Sequence, residues 1–575
     1  MLQRAWLPVV MVLGFLLRLA AAHALPQHFD EGAMLLGVRA VAERGLPILP
    51  SGALYLHGAT HSYLLSPLVW SGLGNLDDLF ILRAASAILG TITVYLTYRL
   101  TRAVTASAGA ALLAATLIAL DPLSVVWGGW LRMYALEQLL AVVVGWLFIR
   151  QVAPEADTAP QNQWREAAGL VVAFWLAVFT QIGVALLWPG LALAALLLQG
   201  RSLFGSRRAL SLGLGLCALA PVAFVAMSTL GGGSPQRTTP LPVGSFVGDY
   251  LVNLQSFPQP NPAAWTVLFG VGALADVVPG LVLLCSGILV IFVGRAFLTP
   301  GRGRCRRWTP VAAMLLLYWV PVLAAIAVAT TPRARYLLFL QPFGYVLVAA
   351  ALALLWVGFP RFAACPWLPQ ILRVAAVGLP LLLLIHLGDG LRHLGDVAEQ
   401  EQAVSNRAQA LAYVAAHRKP GDPVFVAWPP DAYLMLGRLP EVRVLGPIAM
   451  GNSADGEATD FWIGWPVTNI IPGNRNEIQA LDPTAMQQDT GDENGVTDPC
   501  SFVADHPAAW FVLEPYLSNS EALRSLAEGT AGIVFPPPGE VRRAGTLVMQ
   551  APPAGSWDRK AIKTCRDRLR NARKS

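Results

Sequence analysis

Two adjacent carboxylates, Asp30 and Glu31, follow the first apolar segment of this 575-residue chain. They sit in His28-Phe29-Asp30-Glu31-Gly32, just outside a run long enough to be a membrane helix. In such a pair one acid can take a proton from a hydroxyl while the other holds a metal or a second hydroxyl. The architectural alternative is an N-cap, because Asp30 precedes the amphipathic stretch 31–44 and a short carboxylate there can accept a free helix N–H.

Two further groups of ionisable residues border apolar runs. Arg132 and Tyr134 stand where one run begins, in Trp130-Leu131-Arg132-Met133-Tyr134, and Glu137 lies one turn deeper. Charges at that depth are expensive and point to function unless they snorkel or pair locally. An Arg132–Glu137 pair at i, i+5 misses the helical spacing that favours such pairs. Arg333 and Arg335, in Thr331-Pro332-Arg333-Ala334-Arg335-Tyr336-Leu337, precede another run. Guanidinium groups fork onto phosphate oxygens, so an anionic lipid headgroup suits them, as a bound partner or as a snorkelling contact. His57 and His61 have the i, i+4 spacing of a helical metal site, but Gly58 weakens a helix there. Asp77 and Asp78 precede the run 81–98 and are expected to cap it. The chain has no P-loop, GxGxxG, zincin or GxSxG motif, which argues against a nucleotide-driven pump.

The elements that must position these residues are hydrophobic. Hydrophobic residues make up 55% of the chain and charged residues only 13%, against about 25% charged in soluble domains. Apolar runs lie near 5–25, 81–98, 109–127, 133–149, 167–180, 182–199, 209–230, 268–294, 309–330, 337–357 and 371–388. The expected fold is therefore a polytopic α-helical membrane protein of about eleven spans. The first run contains Arg18 and is long for a signal peptide, so an uncleaved helix is expected. The stretch 167–199 reads either as two short helices meeting near Thr180-Gln181-Ile182-Gly183 or as one long tilted helix.

Arginine sets the sidedness. Arg4, Arg99, Arg102, Arg150, Arg165, Arg201, Arg207, Arg208, Arg295, Arg302, Arg304, Arg306, Arg307 and Arg361 fall in alternate links if 167–199 crosses twice. These links are expected to be cytoplasmic. The acid pair, Arg132, Arg333, Arg335 and everything after 388 then share the extracytoplasmic face. The net charge of +6 follows from this arginine pattern, and no nucleic-acid partner is expected.

Composition changes after the last run, giving a membrane domain over 1–388 and an extracytoplasmic soluble domain over 389–575. An amphipathic helix is expected at 398–418, strands at 423–427, 509–513, 532–535 and 546–550, and a helix at 520–528. This alternation indicates an α/β domain. The Gly- and Pro-rich stretch 231–267 reads as an external loop and 451–500 as loop-rich. Cys217 and Cys285 lie in apolar runs as packing residues, whereas Cys500 and Cys565 could pair if their compartment is oxidising.

Taken in order, Asp30-Glu31, Arg132-Met133-Tyr134 and Arg333-Ala334-Arg335-Tyr336-Leu337 resemble the GT-C superfamily of membrane glycosyltransferases. The nearest types are the protein O-mannosyltransferases and the lipid A aminoarabinose transferases. Arg18, Leu54-Tyr55 and Arg83-Ala84-Ala85-Ser86-Ala87-Ile88-Leu89-Gly90 look like this family too, and the resemblance covers about residues 5–360. It implies a polyprenyl-phosphate-linked sugar donor, inversion at the anomeric carbon and an acceptor hydroxyl on a glycan, lipid or protein. Asp30 matches the catalytic acid and would be the general base. Glu31 matches the second acid and would orient the acceptor or a metal. Arg132 with Tyr134, and Arg335 with Arg333 and Tyr336, would hold the departing lipid phosphate. Some relatives use a divalent metal ion and others do not; their metal-binding histidines have no clear counterpart here, so the resemblance leaves the metal open. A different class, a lipid-linked sugar transporter or flippase, would also need cations for phosphate but not an acid pair at the water face.

Overall fold

In lipid a backbone can satisfy its polar groups only as a helix or a closed barrel, and the apolar runs of this chain are helices. The computed structural model describes residues 2–28, 30–48, 54–73, 78–153, 160–205, 207–230, 277–298, 302–328, 334–357, 368–400, 407–422, 424–426, 429–436, 442–444, 507–513, 533–535, 546–551 and 563–564.

The chain begins with α1 (Leu2–Ala24), α2 (Glu31–Arg44), α3 (Ala59–Trp70), α4 (Phe80–Thr105), α5 (Ala108–Leu120) and α6 (Pro122–Gly129). It continues with α7 (Tyr134–Val152), α8 (Pro160–Thr180), α9 (Leu187–Gln199), α10 (Arg208–Leu230), α11 (Val277–Leu298) and α12 (Arg302–Val328). A 3₁₀ segment, Ala334–Leu340, leads into α13 (Gln341–Val357), and α14 (Leu368–Arg392) follows. Among the described residues nine helices are long and apolar enough to cross a membrane, or ten if the bent pair α5–α6 is one span. The chain is thus a multi-pass membrane protein. Of the eleven expected runs, 167–180 falls in α8, which is not among the nine. At Gln181 the backbone becomes extended (φ −154°, ψ 120°) before a 3₁₀ turn at Ile182–Leu186, so 167–199 is two helical pieces.

The run at 109–127, expected as one helix, is a correction. It is broken at Asp121, where α5 and α6 meet at 57°. Two residues stop α5 and restart the chain: Asp121 accepts the Ser124 N–H at 2.7 Å, and Pro122 takes the first helical position, where its missing donor is harmless. Pro122 leaves the Ile118 carbonyl without its i+4 donor. Arg18 of α1 supplies one, with Nη2 donating to Ile118 O at 3.0 Å and Nη1 to Ala119 O at 3.2 Å and Gly14 O at 3.0 Å. Room for this buried guanidinium depends on two glycines, since a Cβ on Gly90 would lie 2.6 Å from Arg18 Nε and one on Gly128 2.9 Å from its Cδ. Arg18 is thus a cap for a broken helix inside the apolar bundle. The Tyr345 hydroxyl of α13 donates to Asp121 Oδ2 at 2.5 Å and fixes the same break from the other side.

Beyond α14 the chain forms α15 (Leu394–Gln400), α16 (Arg407–His417), β1 (Val424–Val426), α17 (Pro429–Leu436), β2 (Val442–Val444), β3 (Trp510–Leu513), β4 (Ile533–Phe535) and β5 (Thr546–Gln550). The sheet order is β2-β1-β3-β5-β4. Strands β2, β1 and β3 are parallel, and β5 runs antiparallel to both β3 and β4. Val424 pairs with Val442 on one side and Trp510 on the other, and Trp510 with Gln550. Ala410, Leu411 and Val414 of α16 bury the near face against Val424, Val426, Val512 and Val548. This is a soluble α/β domain joined to the helical bundle. The four expected strands are present; β2 and α17 were not anticipated. The helix expected at 398–418 appears as α15 and α16, with 401–406 outside the described residues. The stretches 231–267, 451–500 and 520–528, with Asp77, Cys500 and Cys565, also lie outside them. Cys217 and Cys285 are buried free thiols.

Candidate active site

The acid pair lies in the turn that joins α1 to α2. Asp30 occupies the N-cap position of α2 (φ −90°, ψ −3°), but its side chain makes no cap hydrogen bond. The carboxylate instead faces Arg132, with Oδ2 3.0 Å from Nη2, and the Arg132 Nη1 donates to the Asp30 carbonyl at 3.2 Å. The backbone N–H of Asp30 donates to His28 Nδ1 at 3.2 Å. The His28 ring is held between Trp127 and Trp130, at centroid distances of 5.0 and 4.8 Å. The Asp30 side chain keeps 17% exposure, so it is the one member of the acid pair that a substrate can reach.

Glu31 is enclosed. Its Oε1 accepts from Arg83 Nε at 2.8 Å and from the Leu131 N–H at 2.7 Å, and its Oε2 from Arg83 Nη2 at 2.6 Å and the His28 N–H at 2.8 Å. Fork-to-fork pairs of this kind are among the strongest in proteins. Arg83 also donates to the carbonyls of Ala22, Leu25 and Pro26. The end of α1, the acid turn, α4 and the α6–α7 link are thereby fixed to one another through Glu31 and Arg83.

Three chain segments separated in sequence converge on Asp30. Arg132, 2% exposed, comes from the α6–α7 link. Its guanidinium donates to the Tyr55 hydroxyl and lies 5.8 Å from the Tyr134 ring. Burial pulls its pKa down, but Asp30, Tyr55 and Tyr134 outweigh that penalty and raise it above the ordinary value. Arg335, in the 3₁₀ segment before α13, is 4% exposed, and its guanidinium lies 5.8 Å from the Trp127 ring. Trp127 contacts Tyr134 at 4.4 Å, which links the two cation sites through aromatic faces. His57 lies within electrostatic reach of Arg132, Asp30 and Arg335 together. Burial, then the nearby Arg132, lowers its pKa to about 4 and keeps the imidazole neutral. Tyr55 is likewise buried, and burial raises its phenol above the ordinary value.

The arrangement holds a partly exposed carboxylate, two buried guanidinium groups, a phenol and a neutral imidazole together. Such a set can take a proton at Asp30 while stabilising a growing negative charge beside it. Arg333 lies outside the described residues, as does the side chain of Tyr336. Glu137 does not pair with Arg132; it is buried in α7, and its carboxylate oxygens accept no hydrogen bond among the described residues. His57 precedes α3, because Gly58 adopts φ +87° and the helix starts at Ala59. The i, i+4 helical geometry for His57 and His61 is therefore absent. No group of three or more His, Cys, Asp or Glu suited to a metal ion occurs among the described residues. Glu31, with all four hydrogen bonds made, and Asp30, paired to Arg132, do not fit the role of a metal cage. Tyr55, His57 and Arg83 belong to the site without an acid-pair or Arg-motif signal; Leu54-Tyr55 and the Arg83 stretch were visible only as resemblance.

No protein-family model matches the sequence, and no curated protein matches it either. Solved structures do resemble it in fold. ArnT from Cupriavidus metallidurans bound to undecaprenyl phosphate superposes with a TM-score of 0.53 at 14% identity, over 96% of this chain and 98% of that one. The apo state of that ArnT gives 0.52 at 13% identity, over 97% and 100%. The archaeal oligosaccharyltransferase AglB from Archaeoglobus fulgidus, in complex with an inhibitory peptide and a dolichol-phosphate, gives 0.48 at 14% identity, over 76% and 64%. The chain has the fold of the GT-C membrane glycosyltransferases.

Proposed function

We propose that this protein is a membrane glycosyltransferase that moves a sugar from a polyprenyl-phosphate donor to an acceptor hydroxyl on the extracytoplasmic side, with inversion. The observation that carries the proposal is the partly exposed Asp30 carboxylate held against Arg132, with His57 in electrostatic reach of both and of the second cation, Arg335. The shared fold with ArnT, a protein captured with undecaprenyl phosphate, supports the donor class. The arginine-rich links support the sidedness. In this reading 1–388 carries the reaction and 389–575 is an extracytoplasmic domain.

The chemistry follows from where charge moves. The acceptor oxygen attacks the anomeric carbon while Asp30 takes its proton. The bond from that carbon to the phosphate oxygen breaks, and its electron pair leaves with the lipid phosphate. Arg132 and Arg335, with Tyr134 and in the same role Arg333 and Tyr336, meet the charge that grows on that phosphate. Fixed cations in a dry site act most strongly on charge that develops in the transition state. Arg132 would also govern the base: while it grips Asp30 the carboxylate is a weak proton acceptor, and a phosphate that diverts the guanidinium releases it. Glu31 acts by holding the turn.

The test is Asp30→Asn in the full-length protein reconstituted with a short-chain polyprenyl-phosphate sugar. Turnover should fall by about 10²–10⁴-fold, the range for losing a general base, while donor binding is retained. Full transfer activity in this variant would remove Asp30 from the role. Donor translocation without transfer would favour a flippase.

A further inference from the structure

Beside the apolar packing of Leu434 and Met435 on the cluster that includes Ala33 and Met34, one buried carboxylate of the soluble domain meets the acid turn. Asp431 of α17 is fully buried, and its Oδ2 accepts from Arg407 Nη1 of α16 at 2.6 Å and from Gln27 Nε2 at 3.2 Å. Its Oδ1 accepts no hydrogen bond among the described residues and lies against Gly32, where a Cβ would come within 1.5 Å. Gln27 immediately precedes the His28–Glu31 turn and Gly32 immediately follows it. A single side chain therefore touches both sides of the turn that carries Asp30. The location also explains Gly32, since any other residue there would drive the carboxylate away.

We infer that Asp431, neutralised by Arg407, is a positioning residue through which the C-terminal domain holds the acid turn in its reactive geometry. The inference rests on the proposed role of Asp30 but concerns a different element. The turn has its own internal ties, through His28 and Glu31. Those ties fix its shape, whereas Asp431 fixes its place against the soluble domain. A buried ion pair is weak as a source of stability but is a specific connector, because either charge left alone is strongly disfavoured. Asp431 stands within electrostatic reach of Glu31 and Asp30 as well. A displaced latch would therefore alter both the position and the field of the acid pair. Misplacement of a reacting group by about 1 Å can lower turnover by about 10²-fold.

The test uses the full-length protein in detergent or proteoliposomes and two variants that break the contact from opposite sides. Asp431→Asn keeps the shape over Gly32 but removes the carboxylate charge that faces Arg407 at 2.6 Å. Gly32→Ala leaves the Asp431–Arg407 pair intact and obstructs its seat. Both should speed amide exchange severalfold in a peptide spanning 27–36, while peptides from β3 and β5 stay protected. Both should also lower kcat by about 10²-fold with little change in donor KM. Wild-type exchange over 27–36 in Gly32→Ala would overturn the latch, whether or not the protein transfers sugar. If Asp431→Asn unfolds the sheet, Gly32→Ala alone decides. If exchange rises as expected but no wild-type transfer can be found, the latch stands and the proposed reaction falls.

Discussion

Asp30 sits at the N-cap of α2 yet turns its carboxylate out of the helix and onto Arg132, at 3.0 Å. A cap hydrogen bond contributes about 0.5–2 kcal/mol, so a residue that forgoes it for a cation across the chain is held there by its tertiary surroundings. Arg132 grips both the carboxylate and the carbonyl of the same residue. Arg132→Lys keeps the charge but not the two-nitrogen grip. We expect it to retain donor binding better than Arg132→Ala, and both to lose turnover. Donor-binding isotherms beside single-turnover transfer rates check this; equal behaviour of the Lys and Ala variants would contradict it.

Glu31 differs from its neighbour because its oxygens are already used. Glu31→Gln removes the charge opposite the buried Arg83 while changing little in shape. Breaking one side of a buried pair destabilises by about 3–5 kcal/mol, so the variant should show a lowered melting temperature in detergent. Asp30→Asn should lower the melting temperature less, because the Asp30 side chain is partly solvated and Arg132 keeps its hydrogen bonds to the Asp30 carbonyl and to Tyr55. The opposite ranking would mean that the structural and chemical roles of the pair have been exchanged.

The membrane class, the acid pair and the two arginine motifs were legible from single residues and their neighbours. Their legibility has a physical basis: charges are rare next to apolar runs, so each one stands out. The break at Asp121 also carried a local signal, since Asp121-Pro122 is an N-cap followed by a residue suited to the first helical turn. The continuous hydrophobicity of 109–127 concealed it. What no local pattern could show was which arginine meets which acid. Glu31 is joined to Arg83 and Asp30 to Arg132 across 52 and 102 positions of chain. The contact of Asp431 with Gly32 was hidden for the same reason, because a buried carboxylate in a short helix reads as an ordinary surface acid until its neighbours are known.

Arg18 replaces the hydrogen bond that Pro122 removes from the Ile118 carbonyl. Arg18→Leu is more apolar and suits a membrane helix by hydropathy, yet it should destabilise the protein. Each buried carbonyl left without a donor costs about 1–3 kcal/mol. Gly90→Ala should act in the same direction by pressing on the guanidinium. Thermal unfolding in detergent checks both variants, and an Arg18→Leu protein as stable as wild type would show that the break at Asp121 needs no outside donor.

The two histidines of the first loop set an acid limit. Burial, then Arg132, lowers the pKa of His57 to about 4 and of His61 to about 3, from an ordinary value of 6.5. A histidine with a lowered folded-state pKa contributes stability that is present above its unfolded pKa and is lost as pH falls through the folded value. Between pH 6.5 and about 4 the unfolded chain binds more protons at these sites, so their contribution to stability rises with pH. Asp431 works against them: burial raises its pKa to about 6, so its contribution falls as pH rises from its unfolded value through about 6. The histidine effect must therefore be read by difference. In His61→Gln, whose native ring nitrogens accept no hydrogen bond among the described residues, the loss of melting temperature between pH 6.5 and 4 should be smaller than in wild type. His57→Gln should flatten the same slope and also lower transfer, since its ring lies among Asp30, Arg132 and Arg335. A slope as steep in both variants as in wild type would mean that protonation of these rings does not set the acid limit.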